Sequence, residues 1–406
     1  MVGGVSSTPR SVAEQLSDAP LVRDTILAAA SAARDGSSGA MTHSWVFTGA
    51  PGSGRAQAAL AFAAALECTG PQPGCGHCPD CRAVLEGAHT DVVRVVPQAL
   101  SIGVDFVRET IIAGAHRMPT TARWRVLIIE DADRLSASAA DALLKTVEEP
   151  PERTVIIFCA PSTDPLDFST TLNSRCRHVY VPTPSVEEIV RILVEEEHAT
   201  EADARLAAHA SLRHIGRARR LVTTPTMQRR RAAVLNLAEL ITHGDTAFQA
   251  MYSLVKAIDK EAEEEYAQAD EQERHNLERS LGLGGRGRGA QKAARGSAGA
   301  LKELEKQQKL RLTRRRRDVL DLALVDLAGL YRDALMVAVG AAGTVAPIHP
   351  DFAPLADELA AEVGEQGLVA CLDAVAICRG HVRDNVTPTI ATDGLVGRLR
   401  LAYKAH

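Results

Sequence analysis

Four groups of residues in this sequence have the types and spacing to do chemistry. The first is Gly-Ala-Pro-Gly-Ser-Gly-Arg-Ala at positions 49–56. Set against G-x-x-x-x-G-K-[S/T], the phosphate-binding loop, it keeps both glycines and places Arg55 and Ala56 in the last two positions. Small residues at Gly49, Gly52 and Gly54, with Pro51 between, let backbone N–H groups converge on an anion at a helix N-terminus. In a working loop a lysine supplies compact charge to the terminal phosphates and a hydroxyl holds magnesium. Arg55 keeps the charge in a broad planar fork, which is not a conservative replacement, and Ala56 cannot touch a metal.

The second group follows the apolar run RVLII, which ends in Glu130 and Asp131. An aspartate there would organise magnesium and a following glutamate would polarise water; here the order is inverted. Two independent metal-site positions are altered, which points to a nucleotide site that has decayed. Binding of ATP or ADP is therefore expected to be weak or absent.

Cys68, Cys75, Cys78 and Cys81 form the third group, C-x6-C-x2-C-x2-C, with Gly74, Gly76 and Pro79 permitting tight turns. Such spacing suits tetrahedral thiolate coordination of Zn2+ in a closed, structural site with no open position for catalysis. His77 is a less apt substitute ligand, and four reduced free thiols in a loop are the plain alternative. Cys159, Cys176, Cys371 and Cys378 are scattered and read as core fillers.

Last is the tripeptide Ser174-Arg175-Cys176, just ahead of a β-rich run. Arg175 is expected on the surface at a helix end, far along the sheet from Gly49. An arginine supplied in trans can stabilise charge on a transferring phosphoryl group. On the residues alone, a surface arginine in a salt bridge is the preferred reading.

The elements that must position these groups are legible as texture. Residues 44–48, 91–96, 125–129, 154–158 and 177–181 are compact Val/Ile-rich runs separated by helix-length segments. Continuous apolar strands spaced by helices indicate an α/β domain whose parallel sheet is covered on both faces. After Pro182–Pro184, Ser185 and Glu188 are placed as a capping box, and a small three-helix unit is expected to end near 224. Helical stretches are expected at 231–257, 317–342 and around 364–379. Between the first two, residues 258–316 are densely charged, with helical ends and a mobile middle expected near 281–299. Its basic residues, Arg286, Arg288, Arg295 and Arg314–Arg317, can attract phosphates, and the acidic run just upstream is placed to neutralise them.

A chain of 406 residues allows two or three domains, and 46% hydrophobic residues are enough for each to bury a core. No apolar run approaches a membrane span and the first residues lack a secretory h-region, so a cytoplasmic protein is expected. The net charge of −5 argues against a general affinity for polyanions.

Together, VFTGAPGSGRA, the four-cysteine insert, ADALLKTVEEPP with the strand after it, and NSRC resemble the bacterial clamp-loader family of AAA+ proteins. The resemblance covers residues from about 10 to 224. It implies three domains: a RecA-like AAA+ α/β domain over 1–182 with a zinc module at about 67–90, a helical lid over 183–226, and a helical collar over 227–406. Motor subunits of that family, gamma and tau, carry an intact Lys-Ser/Thr loop and an Asp-Glu pair. This chain has neither, so it is similar to a non-motor stator subunit, a component of the polymerase holoenzyme and not an ATPase alone. The resemblance gives Arg175, with Ser174, the role of an arginine finger acting in trans. It matches Arg217 loosely to the lid's second nucleotide sensor. Partners implied are the motor subunits, the delta subunit, and, through a five-subunit ring at the replisome, the sliding clamp and primed DNA. Two other readings stand beside it: an ATP-hydrolysing motor in which Arg55 replaces lysine, and a zinc-dependent nucleic-acid adaptor.

Overall fold

A computed structural model describes residues 10–37, 39–281, 288–384 and 386–404, with 288–298 described for their backbone. They form two compact units. One comprises the chain up to Ile192 with Arg213–Arg217; the other comprises Leu193–Leu212 and everything from Ala218 onward.

The first unit is built on a parallel sheet of β1 (Ser44–Thr48), β2 (Val92–Val95), β3 (Arg125–Ile129), β4 (Thr154–Ala160) and β5 (Arg177–Tyr180), in the order β2-β3-β4-β1-β5. Each strand stands where a Val/Ile-rich run predicts one. β1, β3 and β4 are buried along their whole length, because each has a strand on both sides and helices on both faces. The edge strands β2 and β5 are partly exposed.

The helices of this unit are α1 (Val12–Gln15), α2 (Pro20–Asp35), α3 (Arg55–Glu67), α4 (Pro79–Leu85), α5 (Val104–Phe106), α6 (Ala113–Ala115), α7 (Ala137–Glu148) and α8 (Thr170–Asn173), with a π-helical stretch joining α5 to α6. Strand side chains alternate between faces. Trp45, Phe47, Val126, Ile128 and Ile157 pack with α2 and α3. Val46, Leu127, Ile129, Ile156 and Phe158 pack on the other side with α7 and the 104–115 segment. Ala58 through Glu67 of α3 are all buried, so alanine is the side chain that lets neighbours close on this helix from every direction.

Helices α9 (Val186–Glu197), α10 (Glu201–Ala210) and α11 (Ile215–Thr223) form over the predicted three-helix stretch. The division between the two compact units falls inside α9 and α11. Half of the predicted capping box is present: Ser185 Oγ accepts from Glu188 N at 3.1 Å. The reciprocal half is replaced, because Ser185 N donates to Asp18 Oδ2 at 2.9 Å and Glu188 turns to Arg191.

The second unit continues with α12 (Pro225–Leu240), α13 (Thr246–Ser280), α14 (Arg288–Ala338), α15 (Ala353–Arg383) and α16 (Pro388–Ala402). α15 is interrupted at Gly364, whose φ of 70° and ψ of 169° no helix contains. Leu235, Leu327, Tyr331, Leu368 and Val396 are among the buried residues of one continuous core. No helix among the described residues is long and apolar enough to cross a membrane.

The ends of the charged insert are helical, as expected, and so are residues 288–299 of its middle. They form the ends of α13 and α14; residues 282–287, within the middle predicted to be mobile, lie outside the described residues. The acidic and basic runs face each other across the two helices, which is why neither stays solvated alone. Arg311 binds Glu273 Oε1 at 2.9 Å and also reaches Asp270, while its guanidinium lies 5.0 Å from the Tyr266 ring centre. Arg315 binds Glu265 at 2.7 Å, and Arg316 binds Asp259 at 3.2 Å and reaches Glu263. Partners rise in number along α13 as they fall along α14, so the helices run antiparallel.

Candidate functional site

The loop predicted to hold phosphate connects β1 to α3, the strand, loop and helix order such a site requires. Gly49, Gly52 and Gly54 have φ of 157°, 85° and 88°. Two of them are also sterically obligatory. A Cβ on Gly49 would lie 2.2 Å from the Val181 carbonyl oxygen, and one on Gly52 would lie 2.2 Å from His214 Cγ. Gly49 N donates to the Pro161 carbonyl and Ser53 N to the Ala50 carbonyl, so these two N–H groups are committed within the protein. Pro51 supplies none.

Arg55 does not project from the loop as a free charge. Its Nη1 donates to the Gly49 carbonyl at 2.8 Å, closing the loop on itself. Ala56 is the second residue of α3, and its side chain offers no oxygen to a metal.

Glu130 and Asp131 follow β3, as predicted. Glu130 Oε1 accepts from Arg94 Nε at 2.9 Å and Nη2 at 2.6 Å. Asp131 is left-handed, with φ of 48° and ψ of 49°, and its carboxylate lies 3.8 Å from Arg134 Nε. The buried Cys159 thiol at the end of β4 is pushed up to about 12, first by burial and then by the negative charge of Glu130. Arg55, Asp131 and Arg94 also act on it, which gathers the loop arginine and both acids around one end of the sheet. Arg217 is buried in α11, and its N–H donates to the His214 carbonyl at 3.0 Å, one turn from the ring that seats against Gly52.

The sulfurs of Cys68, Cys75, Cys78 and Cys81 lie within 4.8 Å of one another. Zn–S bonds of about 2.3 Å require sulfurs about 3.8 Å apart in a tetrahedron, so the four fit a zinc ion after a small contraction. Backbone N–H groups support the sulfurs: Cys75 N points to Cys68 Sγ at 3.5 Å, Cys78 N to Cys75 Sγ at 3.4 Å and Cys81 N to Cys78 Sγ at 3.3 Å. Burial opposes ionisation of Cys78, yet the Cys81 and Thr69 donors bring its thiol down to about 6, and a thiolate is what a metal needs. Gly74 and Gly76 have φ of 74° and 82°, and a Cβ on Gly76 would meet the Arg10 carbonyl at 2.2 Å. Arg34 Nη2 holds the Cys68 carbonyl at 2.6 Å and its Nη1 holds that of Gly70 at 2.8 Å. His77 is exposed and bonded to the Cys75 carbonyl, outside the group of four. Cys81 and Val84 join the core around α3, so the module is packed against the α/β unit.

Arg175 lies just after α8, two residues before Arg177 pairs with Trp45 at the start of β1. Gly49 follows the other end of β1, so Arg175 and the loop stand at opposite ends of the paired strands β1 and β5. Arg175 Nε donates to Glu148 Oε1 at 2.5 Å, and Nη1 donates to the Thr171 carbonyl at 2.8 Å and Ser174 Oγ at 3.2 Å. Glu148, Ser174 and Arg175 border an open groove of about 550 Å³ that also includes His43 and Pro150. Cys176 is turned inward, where burial pushes its thiol up to about 12.

Sequence reasoning missed Arg94, His214, Arg34 and Glu148, the side chains that hold the predicted ones. For Arg94 a signal existed, a charge inside the apolar run DVVRVV. β2 pairs with β3 so that Val95 faces Ile129, which sets Arg94 diagonal to Glu130 on one face.

The family described as DNA polymerase III, delta subunit, matches residues 28–185. The delta' subunit of DNA polymerase III from Escherichia coli (strain K12) is 33% identical over 227 residues, covering 54% of this chain and 64% of that protein. The tau subunit from the same strain is 31% identical over 185 residues, covering 43% of this chain and 28% of tau. The chain thus spans less than two thirds of the length of these relatives. A solved structure of a DNA polymerase III gamma subunit-related protein from Thermotoga maritima aligns over 88% of this chain and 94% of its own, at 17% identity and a TM-score of 0.39. Residues 28–185 thus carry a domain of the DNA polymerase III, delta subunit, family, and the chain is similar there to the delta' and tau subunits of DNA polymerase III.

Proposed function

We propose that this chain is a non-motor subunit of the delta-prime kind, a stator in a DNA polymerase III clamp loader. Its own nucleotide site is degenerate, and Arg175 serves as an arginine finger for the ATP site of a neighbouring motor subunit. The relatives include both delta' and tau, so similarity alone does not choose between stator and motor, and the stator reading is supported by the residues of the loop. The observation that carries the reading is the bond from Arg55 Nη1 to the Gly49 carbonyl. A charge folded back onto its own loop is not presented to a terminal phosphate, and the Glu130 carboxylate is likewise occupied by Arg94. Arg175 is instead exposed at the opposite end of the strands, where a separate subunit can reach it.

In this reading the chain has three domains, the AAA+ domain over 1–182, a lid over 183–226 and a collar over 227–406 through which a five-subunit ring assembles. Its partners are gamma or tau, delta, and through them the sliding clamp and primed DNA, in the cytoplasm at the replisome. Zn2+ bound by Cys68, Cys75, Cys78 and Cys81 would supply folding energy to a segment too short for a core of its own. The guanidinium of Arg175 would stabilise charge developing on the transferred phosphoryl group, with Ser174 helping to orient it. The test is ATP turnover by the purified chain with magnesium. The stator reading expects background hydrolysis, and turnover at about 1 per second or faster would establish a motor.

A further inference from the structure

We infer that Glu148 is a positioning residue for Arg175, fixing the plane of its guanidinium so that the Nη2 amino group is presented outward. The inference rests on the arginine-finger reading and goes beyond it by naming what prepares the finger. Glu148 ends α7 and Arg175 follows α8, so two separate helices must meet for the pair to form. Three bonds orient the guanidinium: Nε to Glu148 Oε1 at 2.5 Å, Nη1 to the Thr171 carbonyl at 2.8 Å and Nη1 to Ser174 Oγ at 3.2 Å. Nε and Nη1 are thereby used, and among the described residues Nη2 has no hydrogen-bond partner.

With Nε and Nη1 committed, the Nη2 amino group, held in a fixed plane, is the donor left for an incoming anion. Without Glu148 the two remaining bonds share a single nitrogen, and the plane is free to turn about it. A finger that must be ordered at the moment of reaction loses the advantage of preorganisation. Stability does not account for the pair. The Glu148 side chain is 46% exposed and the Arg175 side chain 36%, and ion pairs in such settings contribute little to folding. Among the described residues the Glu148 carboxylate has no hydrogen-bond donor other than Arg175, so its removal leaves the rest of the unit intact.

The test uses the full chain reconstituted with its motor subunits, after thermal melting has shown each variant folded. Glu148→Ala is expected to lower kcat for ATP about tenfold, because misplacing a catalytic group by about 1 Å costs up to ~10²-fold, and to leave KM within about twofold. Glu148→Gln keeps a carbonyl acceptor for Nε–H and is expected to recover most of the rate. In an Arg175→Ala background, Glu148→Ala should add no further loss. A wild-type or faster rate for Glu148→Ala, with Arg175→Ala slow, overturns the positioning role; a faster rate would make the pair a restraint. A wild-type rate for Arg175→Ala removes the finger reading itself, and the inference with it.

Discussion

Arg55 reaches back over its own loop and donates to the Gly49 carbonyl at 2.8 Å. The bond turns the cation that replaces lysine into an internal clasp. Its consequence is measurable as affinity: MgATP should bind the isolated chain with a Kd above about 1 mM, a binding energy weaker than about 4 kcal/mol. Arg55→Lys with Ala56→Thr frees the Gly49 carbonyl and returns a metal-binding hydroxyl, and should tighten binding about tenfold or more. Turnover should stay at background, since Glu130 remains paired with Arg94. Fluorescent-nucleotide titration and phosphate release measure the two effects separately.

The cysteine module gives a prediction about metal. The protein should carry one zinc ion per chain by elemental analysis, and Cys81→Ser should lose it. Removal should lower the unfolding midpoint of the α/β unit by about 5 to 10 °C, since ~1 kcal/mol moves a unit of this size by about 2 to 4 °C. Retention of both zinc and midpoint by the variant would refute the assignment of ligands.

Asp91 is a second fixed point of the unit, fully buried next to β2. Its carboxylate accepts from the N–H groups of Thr120, Thr121 and Ala122 at 2.9, 2.9 and 3.0 Å and from both threonine hydroxyls. Burial opposes the charge, but these donors hold the carboxyl well below its ordinary value. Asp91→Ala removes the acceptor shared by three N–H groups and leaves the buried Arg125, 3.6 Å away, without its counter-charge, and should cost about 3 to 5 kcal/mol in urea unfolding. A loss below ~1 kcal/mol would show that the loop finds other acceptors.

In the helical unit, His349 accepts at Nδ1 from Arg231 Nη2 at 2.9 Å and bonds through Nε2 to the Asp326 carbonyl at 3.0 Å. Arginine can only donate, so Nδ1 is the unprotonated nitrogen. Burial first, and the Arg231 charge second, lower the imidazole to about 4, against the opposing pull of Asp333 and Asp351. The unfolded chain therefore takes up this proton first as pH falls. Stability is complete above about 6.5 and declines as pH drops toward 4, by about 3 kcal/mol in all. His349→Gln can keep both bonds without titrating, and its urea midpoint should be flatter between pH 7 and pH 4.5. Equal slopes for variant and wild type would rule out His349 as the source.

The sheet was readable because its strands are continuous apolar runs, and because each chemical group adjoins one: Gly49 follows β1, Glu130 follows β3 and Arg175 precedes β5. The grouping of the four sulfurs was readable from the cysteine spacing alone, although Arg34 and the core around α3 also hold the module. The partners that restrain these groups were not readable. Arg94 meets Glu130 only through the β2-β3 register, and Glu148 meets Arg175 across a separation of 27 residues. That the insert's acids would neutralise its arginines was readable from their nearness in the chain, but which acid meets which arginine was not. Their pairing depends on two helices turning back on each other, which composition does not encode.

The central claim concerns whose phosphate Arg175 serves. The most direct measurement is single-turnover ATP hydrolysis at the motor site adjoining this subunit in a reconstituted clamp loader, with wild type and with Arg175→Ala. The account expects the complex to assemble with either chain and hydrolysis at that site to slow by about 10³-fold or more in the variant. An unchanged rate at the adjoining site, in a fully assembled complex, would contradict it.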